Sequence, residues 1–206
     1  MSPAVREAFI SILEAEQISG PVLEVGAWPG PDGLLQIPPL AKLSDRTAIN
    51  LDEFSDRTSG IRWLQGNANR MDMFDDSSFG CVVCNSVLEH DPRFWESIGE
   101  MYRIIRPGGL LALGVPGFRG GGADTLAPAG TWARRLLRWL ATLPPHEFLR
   151  AGTLTLSEHQ YPGDYYRFSE QAMREVLLAG LEAPQTRWVM IPPRIIGWGR
   201  KPSRSG

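Results

Sequence analysis

Apolar positions recur along this chain in two rhythms. Val5, Phe9, Ile12 and Leu13 return at helical spacing and predict an opening helix of about four turns, ended by Gly20 and Pro21. Short apolar runs follow at Pro21–Val25, Thr47–Leu51, Ile61–Leu64, Cys81–Val87 and Leu110–Val115. They have strand length and are bounded by turn formers, so each is predicted as a strand. Between them lie segments with helical or loop character. From Pro92 to Ile105 the chain should be helical, with Asp91 as cap, Pro92 in the first turn, and Trp95, Ile98, Met101, Tyr102 and Ile105 on one face. Pro107, Gly108 and Gly109 stop it.

The later chain is less regular. Gly117–Gly130 is rich in glycine and predicts a mobile loop, followed by a helix over Trp132–Leu143. A further helix is expected over Ser169–Ala179, packing Met173, Val176 and Leu177, and strand character over Arg187–Trp198 around Pro192 and Pro193. Residues 201–206 are expected to be a loose tail. Strands alternating with helices predict an α/β fold: a Rossmann-like, doubly wound, mostly parallel sheet with helices on both faces. One domain over residues 1–206 is expected, because 206 residues with 43% hydrophobic content suit one core better than two.

Charge narrows the range of partners. Lys and Arg number 21 against 23 Asp and Glu, a formal charge of -2, so no bulk attraction to nucleic acid or to an anionic membrane is expected. Residues 1–20 are interrupted by Arg6, Glu7, Glu14 and Glu16, which argues against a signal peptide or a membrane span and for a cytoplasmic location. Cys81 and Cys84 form a C-x-x-C pattern inside a predicted strand, where alternation sends them to opposite faces. They are expected to be buried small residues, and no metal site is expected.

The strongest chemical signal is Val22-Leu23-Glu24-Val25-Gly26-Ala27-Trp28-Pro29-Gly30. It puts an acid and two glycines where a first parallel strand gives way to a helix, the ligand position of a doubly wound sheet. Asp52 follows Gly30 by 22 positions at the end of the second apolar run, about where an acid meets ribose hydroxyls in nucleotide-binding α/β folds. Glu53 adjoins it.

Two further blocks sharpen this pattern. Phe79-Gly80-Cys81-Val82-Val83-Cys84-Asn85-Ser86-Val87-Leu88-Glu89-His90 closes on L-E-H, and Arg106-Pro107-Gly108-Gly109-Leu110 leads into the fifth strand. Taken in order with the Glu24–Gly30 loop, the chain resembles the class I S-adenosylmethionine-dependent methyltransferases, especially the small type 11 branch. The resemblance implies an antiparallel last strand, S-adenosylmethionine as cofactor, and an acceptor-binding lid after the fifth strand, at about residues 117–168. It implies Glu24, Gly26, Ala27, Trp28 and Gly30 around the methionine end, Asp52 and Glu53 at the ribose, Asn67 and Ala68 beside the adenine, and Asn85 along the methionyl chain. Three positions depart from the family pattern. Trp28 replaces a loop glycine and lines the pocket, fills it, or packs outward against the following segment while the backbone keeps the loop; Asn67 replaces a frequent acid, and Gly80 replaces an aspartate in a way that concerns how the strand begins.

Methyl transfer from a sulfonium is an in-line displacement on an activated carbon, so alignment and desolvation carry most of the work. His90 is the candidate base for a hydroxyl or ammonium acceptor, or else a histidine that holds the strand-to-helix turn by hydrogen bonding. A helix starting near Pro92 would help keep it neutral. His159, Tyr161, Tyr165 and Arg167 are the candidate acceptor residues, with Tyr166 and His146 near by in sequence, and an aromatic or carboxylated small molecule would suit them. Alternatively the tyrosines pack the lid and Arg167 pairs with Asp164. Arg134, Arg135 and Arg138 make the Trp132 helix basic and amphipathic, which suits a pocket cover or subunit contact better than a membrane. The expected partners are a small-molecule acceptor and no nucleic acid, with the chain a monomer or homodimer. The rival expectation is a protein that binds S-adenosylmethionine without transferring its methyl group, as a regulator or scaffold. A nicotinamide enzyme fits less well, since G-x-G-x-x-G spacing is missing and Lys42 and Lys201 are the only lysines.

Overall fold

A computed structural model describes residues 1–54, 60–120, 132, 135, 136, 139, 153–155, 163–190 and 192–203. Strands β1 (Val22–Val25), β2 (Arg46–Asn50), β3 (Arg62–Gln65), β4 (Phe79–Asn85), β5 (Ile105–Pro116), β8 (Glu182–Val189) and β9 (Arg194–Arg200) form one sheet in the order β3-β2-β1-β4-β5-β9-β8. The first five pair parallel, and β9 runs antiparallel to both β5 and β8. A separate two-stranded ribbon pairs β6 (Phe118–Gly120) with β7 (Thr153–Thr155).

The sheet is wound on both faces, as the apolar runs predict. β1 is buried along its whole length, the mark of a central parallel strand covered on two sides. One face carries α1 (Pro3–Ala15) and α2 (Pro38–Ala41), and there Phe9, Ile12, Leu35 and Leu40 meet Val22, Cys81, Val83 and Ala112. The other carries α3 (Phe94–Ile104) and α4 (Glu170–Ala172), where Met101, Ile104, Met173 and Leu177 meet Leu23, Val82, Cys84 and Leu111. Cys81 and Cys84 therefore lie in different layers, both buried free thiols. Burial pushes Cys81 up to about 12 and Cys84 well above its usual range, which makes both poor nucleophiles. No described helix is long and apolar enough to cross a membrane.

Helix ends follow local chemistry. α1 begins at Pro3 because Ser2 caps it, accepting the Val5 N–H at 3.4 Å, and Pro3 has no N–H to leave unsatisfied. α3 begins at Phe94 rather than Pro92, with Arg93 as N-cap. Asp91 stays outside it, accepting the Arg93 N–H at 2.9 Å on one oxygen and the Ser97 hydroxyl at 2.6 Å on the other. The buried stripe of α3 is Ser97, Met101 and Ile104, while Trp95 is exposed and Ile105 already belongs to β5.

Four other expectations are corrected. Arg187–Trp198 is two strands, β8 and β9, with the turn between them starting at Met190 in a left-handed conformation (φ 59°). After α4 the helix widens to a π-helical turn over Met173–Leu177, which shifts the register and leaves Val176 half exposed while Met173 and Leu177 stay buried. Residues 201–203 are not loose. The Lys201 ammonium donates to the carbonyls of Tyr102 (2.8 Å) and Ile105 (2.9 Å), covering the open C-terminal end of α3. The start of the expected Gly117–Gly130 loop, Gly117–Gly120, joins the ribbon and the bridge to Phe168, and residues 121–130 lie outside the described residues. Trp132, Arg135, Leu136 and Trp139 are helical and exposed, and the rest of the expected Trp132–Leu143 helix lies outside the described residues.

Candidate active site

The C-terminal ends of β1, β2, β3 and β4 surround a cleft of about 910 Å³. It opens where the strand order reverses between β1 and β4, the position at which a doubly wound sheet leaves a crevice. Glu24, on β1, points into it from a buried position. Its carboxylate accepts the N–H groups of Leu34 (3.3 Å) and Leu35 (3.0 Å), which ties the strand to the loop that follows. Burial pushes this carboxyl up to about 7, against the two backbone donors that favour its charged form.

Gly26 stands where only glycine fits. Its φ is +75°, and a Cβ there would lie 2.1 Å from Val87 Cγ2. The close approach brings the β1 loop against the β4 turn and sets the width of the cleft. Gly30, at φ +131°, borders open space, with nothing within 4 Å of a would-be Cβ. Trp28 does not fill the cleft. It lines the cleft, 60% exposed, and its ring packs edge-on against Phe54 with centroids 5.0 Å apart.

Asn67, Ala68, Asn85 and His90 also line the cleft. The Asn67 side chain accepts the Asn69 N–H at 2.9 Å, shaping the turn after β3. Asn85 lies at the end of β4 and donates to the Ser86 hydroxyl at 3.2 Å. His90 closes the short helix Leu88–His90, its backbone N–H donating to Val87 O at 2.9 Å. Since α3 starts four residues later, its positive end is farther from His90 than a start at Pro92 would put it.

Ala27, Asp52 and Glu53 do not line the cleft. Ala27 is buried in the core on the α1 face, and Asp52 and Glu53 are exposed beyond the end of β2. Asn50, which ends β2, is the cleft residue there. It donates to Ala27 O at 2.7 Å and accepts the Asp52 N–H at 3.1 Å. Sequence reasoning also passed over Asn69, whose amide donates to Asp91 (2.7 Å), Ser97 (3.0 Å) and Arg93 O (3.2 Å). That bridge joins the turn after β3 to the start of α3 across the cleft.

The acceptor candidates fare differently. His159 and Tyr161 lie outside the described residues. Arg167 is clamped on Asp164, donating to its two oxygens at 2.5 and 2.6 Å, and also donates to Tyr166 O at 2.8 Å. Tyr166 packs on Phe94 at 5.1 Å, and its hydroxyl donates to Pro92 O at 3.1 Å. Tyr165 is exposed, and its N–H donates to Glu89 O at 2.7 Å. Residues 164–167 are thus braced against the turn that holds His90, but among the described residues their side chains do not line the cleft.

Among the described residues, the polar side chains lining the cleft over β1, β2 and β3 are the carboxyls of Glu24 and Asp32 and the carboxamides of Asn50, Asn67 and Asn69, with Asn85 alongside on β4 and the basic Arg93 at the far end, next to α3. Such a set suits a ligand with positive charge and an adenosyl group, and does not suit a phosphate. Gly80, where the family has an aspartate, lies at the opposite end of β4. A Cβ there would stand 2.1 Å from Ser19 O and 2.9 Å from Arg106 Nη2, so this departure concerns packing at the base of the sheet.

Comparison with known proteins agrees with this geometry. Residues 41–113 match the family described as a methyltransferase domain, type 11. No curated protein sequence matches the chain. The fold is similar to that of 1,6-didemethyltoxoflavin-N1-methyltransferase from Burkholderia thailandensis, solved with 1,6-didemethyltoxoflavin and S-adenosylhomocysteine. The TM-score is 0.61 at 16% identity, over 97% of this chain and 79% of that one. It is similar to phosphoethanolamine N-methyltransferase 2 from Haemonchus contortus with S-adenosylmethionine (TM-score 0.59, 11% identity, 96% of this chain and 53% of that one). A third similar structure is an S-adenosylmethionine-dependent methyltransferase from Methanosarcina mazei (TM-score 0.55, 19% identity, 94% and 98%). The sheet order and the cleft are those of the class I Rossmann-like fold, and residues 41–113 within it are similar to the type 11 methyltransferase domain.

Proposed function

We propose that the protein transfers the methyl group of S-adenosylmethionine to a nitrogen, oxygen or carbon of a small-molecule acceptor, which enters at the Ser86–Arg93 side of the cleft. The observation that carries this is the division of the cleft into two ends. Glu24, Asn50 and Asn67 gather over β1, β2 and β3, while Ser86, His90 and Asp91 gather beyond β4. When bound, the cofactor supplies an activated methyl carbon. Glu24 would counter its positive charge, with Asn85 hydrogen-bonding beside it and Asn50 and Asn67 at the adenosine.

His90 is proposed as the base that takes a proton from the acceptor. It lines the cleft, half buried, immediately after β4. Arg167 is not proposed to grip an anion, since Asp164 already takes both of its terminal nitrogens. The Burkholderia protein holds a small-molecule acceptor, which supports the same class here.

Calorimetric titration of the whole chain with S-adenosylmethionine, S-adenosylhomocysteine and NADH tests the site. Micromolar binding of the first two and none of NADH is the expected result, and failure of both adenosyl ligands to bind sinks the reading. Labelled methyl transfer to a panel of small amines, phenols and heterocycles then tests the acceptor class.

A further inference from the structure

Trp28 is a large side chain in a place where the family pattern has glycine, and its surroundings show how it is held. Trp28 is among the residues lining the cleft, and 60% of it is exposed. Phe54, in the connection after β2, meets it edge-on at 5.0 Å and 64°. Phe54 in turn meets Trp63 of β3 edge-on at 5.8 Å and 75°. A chain of three rings thus runs from the cleft mouth to the outer strand of the sheet and fixes the indole over the β2 side. Leu51, the residue after β2, lines the same cleft and is 64% exposed. Two exposed apolar residues, Trp28 and Leu51, therefore line one ligand space, an arrangement that favours an apolar or aromatic group settling between them.

The side on which the indole stands decides what it touches. Ser86, His90 and Asp91 lie at the β4 side, where transfer is proposed, and Trp28 is braced toward β2 and β3. We propose that Trp28, with Leu51, is an adenosine-binding wall particular to this chain: the indole replaces the bare glycine backbone with an aromatic surface that stacks on the adenosine part of the ligand. The proposal rests on the reading of the cleft as the S-adenosylmethionine site. It implies a contact shared by every ligand with that adenosine, whatever its sulfur carries.

The test is calorimetry on the whole chain with S-adenosylmethionine, S-adenosylhomocysteine and 5′-methylthioadenosine, the last lacking the amino-acid end. Stacking on an aromatic side chain is worth enough that Trp28→Ala and Trp28→Gly should each weaken all three ligands by about tenfold or more. Trp28→Phe, which keeps a ring, should lose much less. An unchanged melting temperature for Trp28→Phe keeps the comparison on folded protein. Equal loss across the three ligands supports the wall. Variants that bind as tightly as the parent overturn it, and so does a loss confined to the two ligands with an amino-acid end. If the parent chain binds none of the three, the cofactor reading itself fails and takes the proposal with it; parent binding with unchanged variants removes the wall alone.

Discussion

Arg194, the first residue of β9, reaches under the cleft to Glu89, with Nη2 3.6 Å from Oε1, and both residues are buried. The same guanidinium donates to the Ser86 hydroxyl, 108 positions away in sequence. Glu89 O also accepts the N–H groups of Tyr165 (2.7 Å) and Tyr166 (3.2 Å). Glu89 and Arg194 therefore join the β4 turn, the start of β9 and the segment that carries Tyr165 and Tyr166. Breaking a buried ion pair is costly, so Arg194→Met should destabilise the fold by about 3–5 kcal/mol. Arg194→Met with Glu89→Leu should recover much of that loss. Urea unfolding of the two single variants and the double variant checks it, and a double variant no more stable than Arg194→Met would show that the pair is not the source.

Gly26 faces two separate obstacles to substitution, and they can be measured apart. A Cβ at Gly26 would strike Val87 Cγ2 at 2.1 Å, and the φ of +75° is strained for any L side chain. Gly26→Ala should cost about 2–4 kcal/mol, combining overpacking and backbone strain. Adding Val87→Ala removes the clash but leaves the strain. Measured against Val87→Ala alone, the double variant should therefore keep a penalty of about 1–2 kcal/mol. Denaturant curves for the four proteins give both terms, and full rescue would mean that φ costs nothing here.

How far the fold is legible in the sequence depends on how local the determining interaction is. The central strands announce themselves because a parallel strand covered on both faces needs a continuous apolar run, as in Val22–Val25 and Cys81–Cys84. Glu24, Gly26 and Gly30 are equally visible, since the turn after β1 constrains the backbone within a few residues. Asn50 is hidden behind Asp52 because β2 ends one residue earlier than its apolar run suggests, and the acid falls on the exposed side of that boundary. The β8–β9 turn was hidden because the residues around it, Val189 and Ile195, are apolar on both sides of Pro192 and Pro193. Glu89 with Arg194, and Lys201 with the end of α3, depend on contacts about a hundred positions apart, which no local pattern encodes.

Gly80 tests whether the missing family aspartate bears on the cleft or on the base of the sheet. A Cβ at this position would sit 2.1 Å from Ser19 O, a backbone atom that Arg106 Nη2 also binds at 3.1 Å. Gly80 N donates to Pro21 O at 2.9 Å, which keeps the two segments close. Gly80→Ala should therefore lower the melting temperature by about 5 °C, corresponding to roughly 2 kcal/mol of overpacking. Gly80→Asp, the family residue, meets the same carbonyl and should lower it too. S-adenosylhomocysteine affinity of the folded variants should not change, because Gly80 lies at the other end of β4 from the cleft. Weaker binding without a change in melting temperature would place the effect at the cleft instead.

Glu24 predicts an unusual dependence of stability on pH. Burial raises its carboxyl from 4.5 to about 7 in the folded chain. Between those values the folded state holds a proton that the unfolded state has released, so stability should fall as pH rises from about 4.5 through 7. The loss attributable to this one group is up to about 3 kcal/mol, at roughly 1.4 kcal/mol per unit of pKa. Glu24→Gln removes the titration while keeping an oxygen that accepts from Leu34 or Leu35, so its stability should change less across the same range. A ligand that brings positive charge to Glu24 favours the ionised carboxyl, so S-adenosylmethionine should bind more tightly as pH rises toward 7, and binding should release protons. Calorimetry in two buffers of different ionisation enthalpy detects that release, and denaturation at stepped pH detects the stability slope. If the parent and Glu24→Gln show the same slope between pH 4.5 and 7, the Glu24 carboxyl ionises at its ordinary value and the burial argument is wrong.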